Sequence, residues 1–240
     1  MDGNGRWAEA RGHRRIFGHV KGAKVAKSII EECTRLKIPN LTLFAFSTEN
    51  WLRPKYEVSF LMSLLRRYLQ KERAELIAKN ICFSCIGDLS RIPEPAIEEV
   101  LKTIEMTKHN TGMRLTFALS YGGRQEIING VKEICKQVLD GKVKVEDITE
   151  ASLSTCLNSS YLPDPDLIIR TSGETRLSNF FLWQAAYSEL FFSKPNWPDF
   201  TTLDLHKALD FYVSKERRFG KTNCQIRNSE PISNLPQQEL

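Results

Sequence analysis

No stretch of this sequence approaches the roughly 20 consecutive apolar residues that a membrane-spanning helix needs, and Arg, Lys or Glu interrupts every long hydrophobic segment. The opening Met1-Asp2-Gly3-Asn4-Gly5-Arg6 lacks the apolar core of a secretory signal, so the expected location is the cytoplasm. Glycine and proline are sparse, 13 and 10 in 240 residues, which excludes a collagen-like or linker-like chain. The six cysteines (Cys33, Cys82, Cys85, Cys135, Cys156 and Cys224) are scattered and outline no disulfide framework. No charge of one sign dominates: 34 Lys and Arg against 29 Asp and Glu leave a net +5, compatible with phosphates, acidic lipids or nucleic acid but selecting none. What remains is an ordinary globular composition, 41% hydrophobic and 26% charged. A chain of this length buries roughly 70–75% of its unfolded surface, enough for one substantial core.

Hydrophobic periodicity gives the order of elements. Val20 to Leu36 reads as a helix with Ala23, Ala26, Ile29, Ile30 and Cys33 on one face, and Leu41 to Phe46 as a short apolar strand. A loop from Ser47 to Pro54 leads into a long amphipathic helix over about Glu57 to Lys79. Strands are expected at Ile81–Ile86, Arg114–Leu119, Asp166–Arg170 and Glu189–Ser193, and helices at Pro95–Lys108, Arg124–Leu139 and Leu203–Phe219. Strands alternating with helices predict a single α/β domain over residues 1–220, with a mostly parallel central sheet flanked by helices. Residues 221–240 are polar and read as a disordered tail. Cys82 and Cys85 form a C-x-x-C inside an apolar run with no second pair, so they read as strand rather than metal or redox chemistry.

Ligands of parallel α/β sheets collect at the carboxyl ends of strands, and three such loops hold the unusual polar residues. The first is Asp2-Gly3-Asn4-Gly5-Arg6-Trp7, with Arg15 and His19 downstream. Its glycines admit an anion close to backbone N–H groups, or merely make a turn, and the third glycine of the dinucleotide fingerprint is absent. The second loop, Ser47-Thr48-Glu49-Asn50-Trp51-Leu52-Arg53, reads equally as a site or as a capping segment. The third and densest runs from Asp166 to Asn179 and holds Arg170, Glu174, Arg176 and Ser178. Guanidinium forks suit phosphate oxygens, although Glu174 offers an ordinary structural partner. Glu189 begins an apolar stretch, where a metal ion or an arginine would satisfy it. Paired arginines at 14–15 and 66–67 lack the interleaved aromatics of a nucleic-acid surface, so no nucleic acid is expected as a partner.

In order, Asp2–Trp7, Phe46–Pro54, Tyr121–Arg124, Ile169–Gln184, Trp197–Phe200 and Arg217–Gly220 spell D-G-N-G-R-W, F-S-T-E-N-W-L-R-P, Y-G-G-R, I-R-T-S-G-E-T-R-L-S-N-F-F-L-W-Q, W-P-D-F and R-R-F-G. Over residues 1–220 the sequence thereby resembles the cis-prenyltransferases, the bacterial undecaprenyl diphosphate synthases among them. The resemblance implies successive condensation of isopentenyl diphosphate onto an allylic diphosphate, farnesyl diphosphate being the expected primer, to a long-chain polyprenyl diphosphate used as a cell-wall lipid carrier. It implies an allylic diphosphate on Gly3, Asn4, Gly5 and Arg6, flanked by Trp7 and assisted by Arg15 and His19. Isopentenyl diphosphate falls to Arg170, Arg176 and Ser178, with Leu177 between them, and Mg²⁺ to Asp2 and Glu189. Asp2 and Asn50 are the implied catalytic residues, Asn50 at proton loss, with Ser47, Thr48, Glu49, Trp51 and Arg53 around it. An apolar tunnel, a homodimer and transient membrane contact at product release complete the expectation, placing the protein in the cytoplasm or peripherally at the membrane.

The sequence departs from the family pattern in four places. Family members carry an apolar strand directly before Met-Asp-Gly-Asn-Gly, so the first strand of the sheet is expected to be missing here. Either the recorded start lies too far downstream, or this is a shortened, unstable form. Thr175 stands where some bacterial members have a histidine, and Ser120 where an asparagine often precedes Tyr-Gly-Gly-Arg. The tail lacks the Arg-x-Gly ending of two-subunit enzymes, which points to the homodimer. The competing expectations are a non-catalytic scaffold or partner subunit of the same family and, more distantly, a nucleotide-binding α/β protein.

Overall fold

A computed structural model describes residues 1–215. The last helix stops at Val213, capped by Ser214, short of the expected Phe219, while the Arg217–Gly220 motif, Cys224 and the polar tail lie outside the described residues. The order of elements is α1 (Asn4–Glu9), α2 (Arg15–Arg35), β1 (Asn40–Ser47), α3 (Lys55–Ala78), β2 (Cys82–Ile86), α4 (Glu94–Thr107), β3 (Arg114–Tyr121), α5 (Gly123–Leu139), α6 (Glu150–Cys156), β4 (Leu167–Arg170), β5 (Glu189–Phe192) and α7 (Thr202–Val213). A 3₁₀ turn, Thr48–Leu52, joins β1 to α3.

Local chemistry accounts for the elements. In α2 the buried positions Gly18, Gly22, Val25, Ala26, Ile29, Ile30 and Cys33 follow helical spacing on one face. Pro54 and Pro93 sit just ahead of α3 and α4, where a missing N–H does no harm. Strand β3 is buried at every position from Leu115 to Tyr121, as a central parallel strand covered on both faces should be. Cys82 and Cys85 stand on β2, as the strand reading predicts, and both are free thiols.

Among the described residues all pairing is parallel, in the order β1-β3-β2 for one sheet and β4-β5 for another. The α/β architecture with helices flanking parallel strands is thus realised, but as two sheets rather than one. The principal core, including Leu69, Leu76, Ile81, Phe83, Val100, Leu115, Phe117 and Leu119, unites α2, α3 and α4 with the three-stranded sheet. A smaller cluster of Ile86, Ala118, Tyr121, Ile168 and Phe181 ties that sheet to β4 and to the segment after it. Phe44 stacks on Phe180 at 4.6 Å and meets Tyr121 edge-on at 5.9 Å. Between the facing edges of β1 and β4 the structure encloses a large cavity, bordered by residues 40–47 on one side and 163–171 on the other.

Candidate active site

The cavity holds about 980 Å³, the upper end of the range for ligand pockets. Its body is apolar. Ala23, Ala26, Ile29 and Cys33 line it from α2, and Leu61, Met62, Leu65 and Tyr68 from α3. From His19 at the mouth to Cys33 the wall runs about 21 Å, at 1.5 Å per helical residue. The mouth is polar, and the three loops singled out from the sequence meet there.

Arg170, at the carboxyl end of β4, organises one side. Its Nη2 donates to Asp2 Oδ2 at 2.9 Å, while Nη1 donates to Ser178 Oγ at 2.7 Å and to the Arg176 carbonyl. Asp2 is further fixed by its amide, which donates to Thr171 Oγ1 at 3.0 Å, and by its Oδ1, which accepts from the Gly3 amide at 2.6 Å. Burial opposes ionisation of Asp2, but the Arg170 hydrogen bond, the Gly3 amide and the nearby Arg6 charge together hold its carboxyl below the ordinary value. Gly3 is required here. Its φ is 88°, and a Cβ would fall 2.1 Å from Ser172 Oγ and 2.2 Å from Asn196 Oδ1. Glu174 is the counter-ion that the sequence allowed for: Arg6 Nη1 reaches it at 2.7 Å, and Arg176 pairs with it too.

Glu57, at the start of α3, organises the other side and was not anticipated. Only 1% exposed, it accepts from Arg15 Nε at 3.2 Å and from Arg53 Nη1 at 3.2 Å, with His19 Nε2 3.5 Å away. Its legible signal was the i, i+4 relation to Arg53, which reads as a routine helix-end pair. Burial, reinforced by the Arg53 charge, lowers His19 to about 4, so its imidazole is neutral near pH 7. Asn4 Oδ1, His19 Nε2 and Arg170 Nε are buried without a hydrogen-bond partner, and all three residues line the cavity. Buried polar atoms left open in this way mark a place for a polar ligand.

The Gly-rich opening is a short helix rather than a loop, capped by Gly3 and carrying Asn4, Gly5 and Arg6 along the mouth. Helix α2 starts at Arg15, which places Arg15 and His19 one turn apart on the same face. In the second loop both readings hold at once. Ser47 and Asn50 form a reciprocal capping box for the 3₁₀ turn, Asn50 Oδ1 accepting from the Ser47 amide at 3.3 Å, and Ser47, Glu49, Asn50 and Arg53 also border the cavity. Leu177 lies in the lining beside Arg176 and Ser178.

Four expected site residues do not reach the cavity. Trp7 turns outward, donating to Asp199 Oδ1 at 2.7 Å beneath the Arg11 guanidinium. Trp51 turns inward, edge-on to Phe46 at 4.9 Å and donating to Ser120 Oγ at 2.9 Å. Thr48 Oγ1 would lie 2.6 Å from a Cβ at Gly122, behind the lining. Glu189 is half-buried rather than enclosed, so its carboxylate needs no buried partner. It pairs with Leu167 while Arg170 pairs with Phe192, three residues or about 10 Å along the strand.

For a divalent cation, the described residues offer no cluster of three His, Cys, Asp or Glu ligands. Beside Arg170, Asp2 supplies a hard carboxylate oxygen at the mouth. That fits Mg²⁺, which characteristically takes one or two carboxylates and completes its shell with substrate phosphates and water.

Comparison with known proteins agrees with this geometry. The family described as putative undecaprenyl diphosphate synthase matches residues 1–220. The chain is 52% identical over 226 residues to an isoprenyl transferase of Geobacter sulfurreducens, covering 94% of this chain and 92% of that one. An isoprenyl transferase of Clostridium perfringens is 50% identical over 220 residues, 92% and 87% of the respective chains. Among solved structures, lavandulyl diphosphate synthase of Lavandula x intermedia, in complex with dimethylallyl diphosphate, superimposes with a TM-score of 0.90 at 38% identity, covering 92% of this chain and 95% of that one. A probable undecaprenyl diphosphate synthase of Campylobacter jejuni gives 0.74 at 37% identity, over 84% and 93%.

Proposed function

The chain belongs to the undecaprenyl diphosphate synthase-like prenyltransferase family, whose members are transferases of prenyl groups, and from that premise we propose that it condenses isopentenyl diphosphate successively onto an allylic diphosphate. Farnesyl diphosphate is the proposed primer and a long-chain cis-polyprenyl diphosphate, undecaprenyl diphosphate, the product for the cell-wall carrier. One observation carries the reading: arginines and an ionised aspartate converge at the polar mouth of a deep cavity whose body is hydrocarbon.

Each side of the mouth has a task. Arg6 and Arg15, with Gly3, Asn4 and Gly5 beside them, face the allylic diphosphate, whose departure builds up negative charge as the allylic C–O bond breaks. Guanidinium groups fixed beforehand around that charge lower the barrier without reorganising. Neutral His19 holds a ring N–H or a lone pair available without adding charge. Arg170, Arg176 and Ser178 hold isopentenyl diphosphate with its double bond toward the allylic carbon. Asn50, fixed by Ser47, stands beside the carbon that loses its proton after the new C–C bond forms, the departed diphosphate being the base that takes it. Mg²⁺ bound through Asp2 supplies neutralisation of diphosphate charge. We further propose a homodimer and transient contact with a membrane at product release; among the described residues no helix is long and apolar enough to cross one.

The test is incubation with farnesyl diphosphate, labelled isopentenyl diphosphate and Mg²⁺, with the products sized. The unaltered chain should extend the primer. Asp2→Ala should lower turnover about 100-fold or more, the scale of losing a preorganised electrostatic group, with the fold intact by circular dichroism. Unchanged turnover in that variant would remove the metal assignment, and absence of product from the unaltered, folded chain would support the non-catalytic scaffold.

A further inference from the structure

The Tyr121–Arg124 turn takes no direct part in the mouth, but two of the site loops meet over it. Strand β3 ends at Tyr121 and α5 begins at Gly123. Asn179, next to Ser178, closes the N-terminus of α5: its Oδ1 accepts from the Arg124 amide at 2.8 Å, and its carbonyl accepts from the Gly123 amide at 2.7 Å. Its Nδ2 donates to Glu49 Oε1 at 2.8 Å, in the turn that carries Asn50. A backbone N–H can only donate and an ionised carboxylate can only accept, so the two ends of the carboxamide are not interchangeable. Gly122 makes room for it, since a Cβ there would fall 2.7 Å from Asn179 Nδ2. The backbone is strained to reach this arrangement, with φ at 48° in Ser178, 64° in Asn179 and 45° in Phe181. Such values persist where packing enforces them. Here Phe180 stacks on Phe44 of β1 at 4.6 Å, and Phe181 meets Tyr121 edge-on at 5.8 Å. Desolvation opposes the charge on Glu49, but the Asn179 bond and the hydrogen bonds of its own turn hold the carboxyl below its ordinary value.

We propose that Asn179 is a positioning residue that ties the second loop to the third: its carboxamide fixes Asn50 relative to Ser178, and so sets the group at proton loss against isopentenyl diphosphate. This inference rests on the prenyl-transfer reading above. Ser178 is held by Arg170, and Asn50 by Ser47 within its own turn. Neither contact sets the spacing between the two. The Asn179–Glu49 bond spans it. Reacting groups have to meet within about 3–3.5 Å, and a displacement of about 1 Å can cost on the order of 100-fold. The arginines that hold the diphosphates are anchored elsewhere, Arg170 on Asp2 and Arg15 on Glu57. Loss of the bond should therefore slow the chemical step more than it weakens either substrate.

Asn179→Asp isolates the bond. It keeps the shape, tolerates the positive φ and still accepts from the Arg124 amide, but it has no N–H for Glu49 and sets two carboxylates against each other. Adding Glu49→Gln returns a donor from the opposite side and restores the net charge of the unaltered chain. With farnesyl diphosphate, isopentenyl diphosphate and Mg²⁺, the single variant should lose about tenfold or more in kcat, the scale of one hydrogen bond to a charged group. Its KM for farnesyl diphosphate should change less than about threefold, and the double variant should regain kcat to within about threefold of the unaltered chain. Hydrogen exchange without substrate gives a readout independent of turnover. Peptides covering 47–53 should exchange faster in the single variant and slow again in the double, while α5 stays protected in both. A role as helix cap alone would move neither readout, because aspartate caps as well as asparagine. Unchanged kcat in a folded Asn179→Asp protein, or a loss that Glu49→Gln does not repair, would overturn the inference while leaving prenyl transfer intact. Absence of product from the unaltered, folded chain would overturn the prenyl-transfer reading and this inference with it.

Discussion

His19 shows how one buried residue ties the site to the stability of the whole. Its ring sits among Glu57, Arg53 and Arg15, and burial first, then the Arg53 charge, lowers it from 6.5 to about 4. Above pH 6.5 the imidazole is neutral whether the chain is folded or not, so the folded state carries no penalty. As the pH falls from 6.5 toward 4, the unfolded chain takes up a proton that the folded chain refuses, and stability is lost across that window. At 1.36 kcal/mol per unit the loss is on the order of 3 kcal/mol. Urea unfolding at pH 7.5 and pH 4.5 would measure it. His19→Gln should lose clearly less stability between the two pH values than the unaltered chain, and an equal loss would show that His19 does not titrate as described. At this scale the sequence was informative where residue type is itself unusual. Arg170, Arg176 and Ser178 leave an apolar strand, a composition that already suggests an anion. Glu57 escaped notice because a glutamate in the first turn of an amphipathic helix is what helix chemistry favours anyway. Nothing in the pattern shows that three basic side chains converge on it.

Helices α1 and α2 carry the allylic side of the mouth, and their contact is unusually close. A Cβ at position 18 would fall 1.8 Å from the Asn4 carbonyl oxygen and 2.6 Å from its carbon. The obstacle is backbone, so no side-chain rotation relieves it. Gly18→Ala should therefore push α1 off α2, destabilising the fold by about 1–3 kcal/mol, as overpacking does. Affinity for an allylic diphosphate should fall with it, because α1 presents Asn4, Gly5 and Arg6. Thermal melting and calorimetry on the variant would decide, and wild-type values in both would mean that α1 is not held by this contact. The same glycines explain where sequence reading went astray. Buried Gly18 and Gly22 break the run of apolar residues, so the helix reads as starting at Val20 although it begins at Arg15. Helix α1 has six residues, too few for periodicity to register. Helix α6 escaped for the same reason, although its capping box of Thr149 and Ser152 was present to be read. The long elements α3, α4 and α5 and the strands β1, β2 and β3 agree with expectation to within about two residues, because each offers a full period of burial.

For the whole molecule, the alternation of strands and helices made a parallel α/β architecture readable, but the choice of neighbours was not. Which strand is central depends on long-range packing, and a nearly unbroken apolar run such as Leu115–Leu119 hints at β3 only in retrospect. The outcome places a cavity where two sheet edges face each other. Among the described residues β1 pairs only with β3, and β4 only with β5. Each therefore turns a row of backbone N–H and C=O groups toward the cavity, where no ladder partner meets them. Hydrocarbon cannot accept those hydrogen bonds, so this wall differs in kind from the helical walls, whose N–H groups are bonded within their own helices. The apolar side chains of α2 and α3 are the wall against which a prenyl chain should lie. Hydrogen exchange read by mass spectrometry tests the arrangement without any ligand. Peptides covering 40–47 and 167–170 should exchange their cavity-facing amides orders of magnitude faster than the 114–121 peptide, which is bonded on both sides. Protection of β1 equal to that of β3 in the unliganded chain would mean that its open edge is paired in solution, and that the cavity there is narrower than the structure shows.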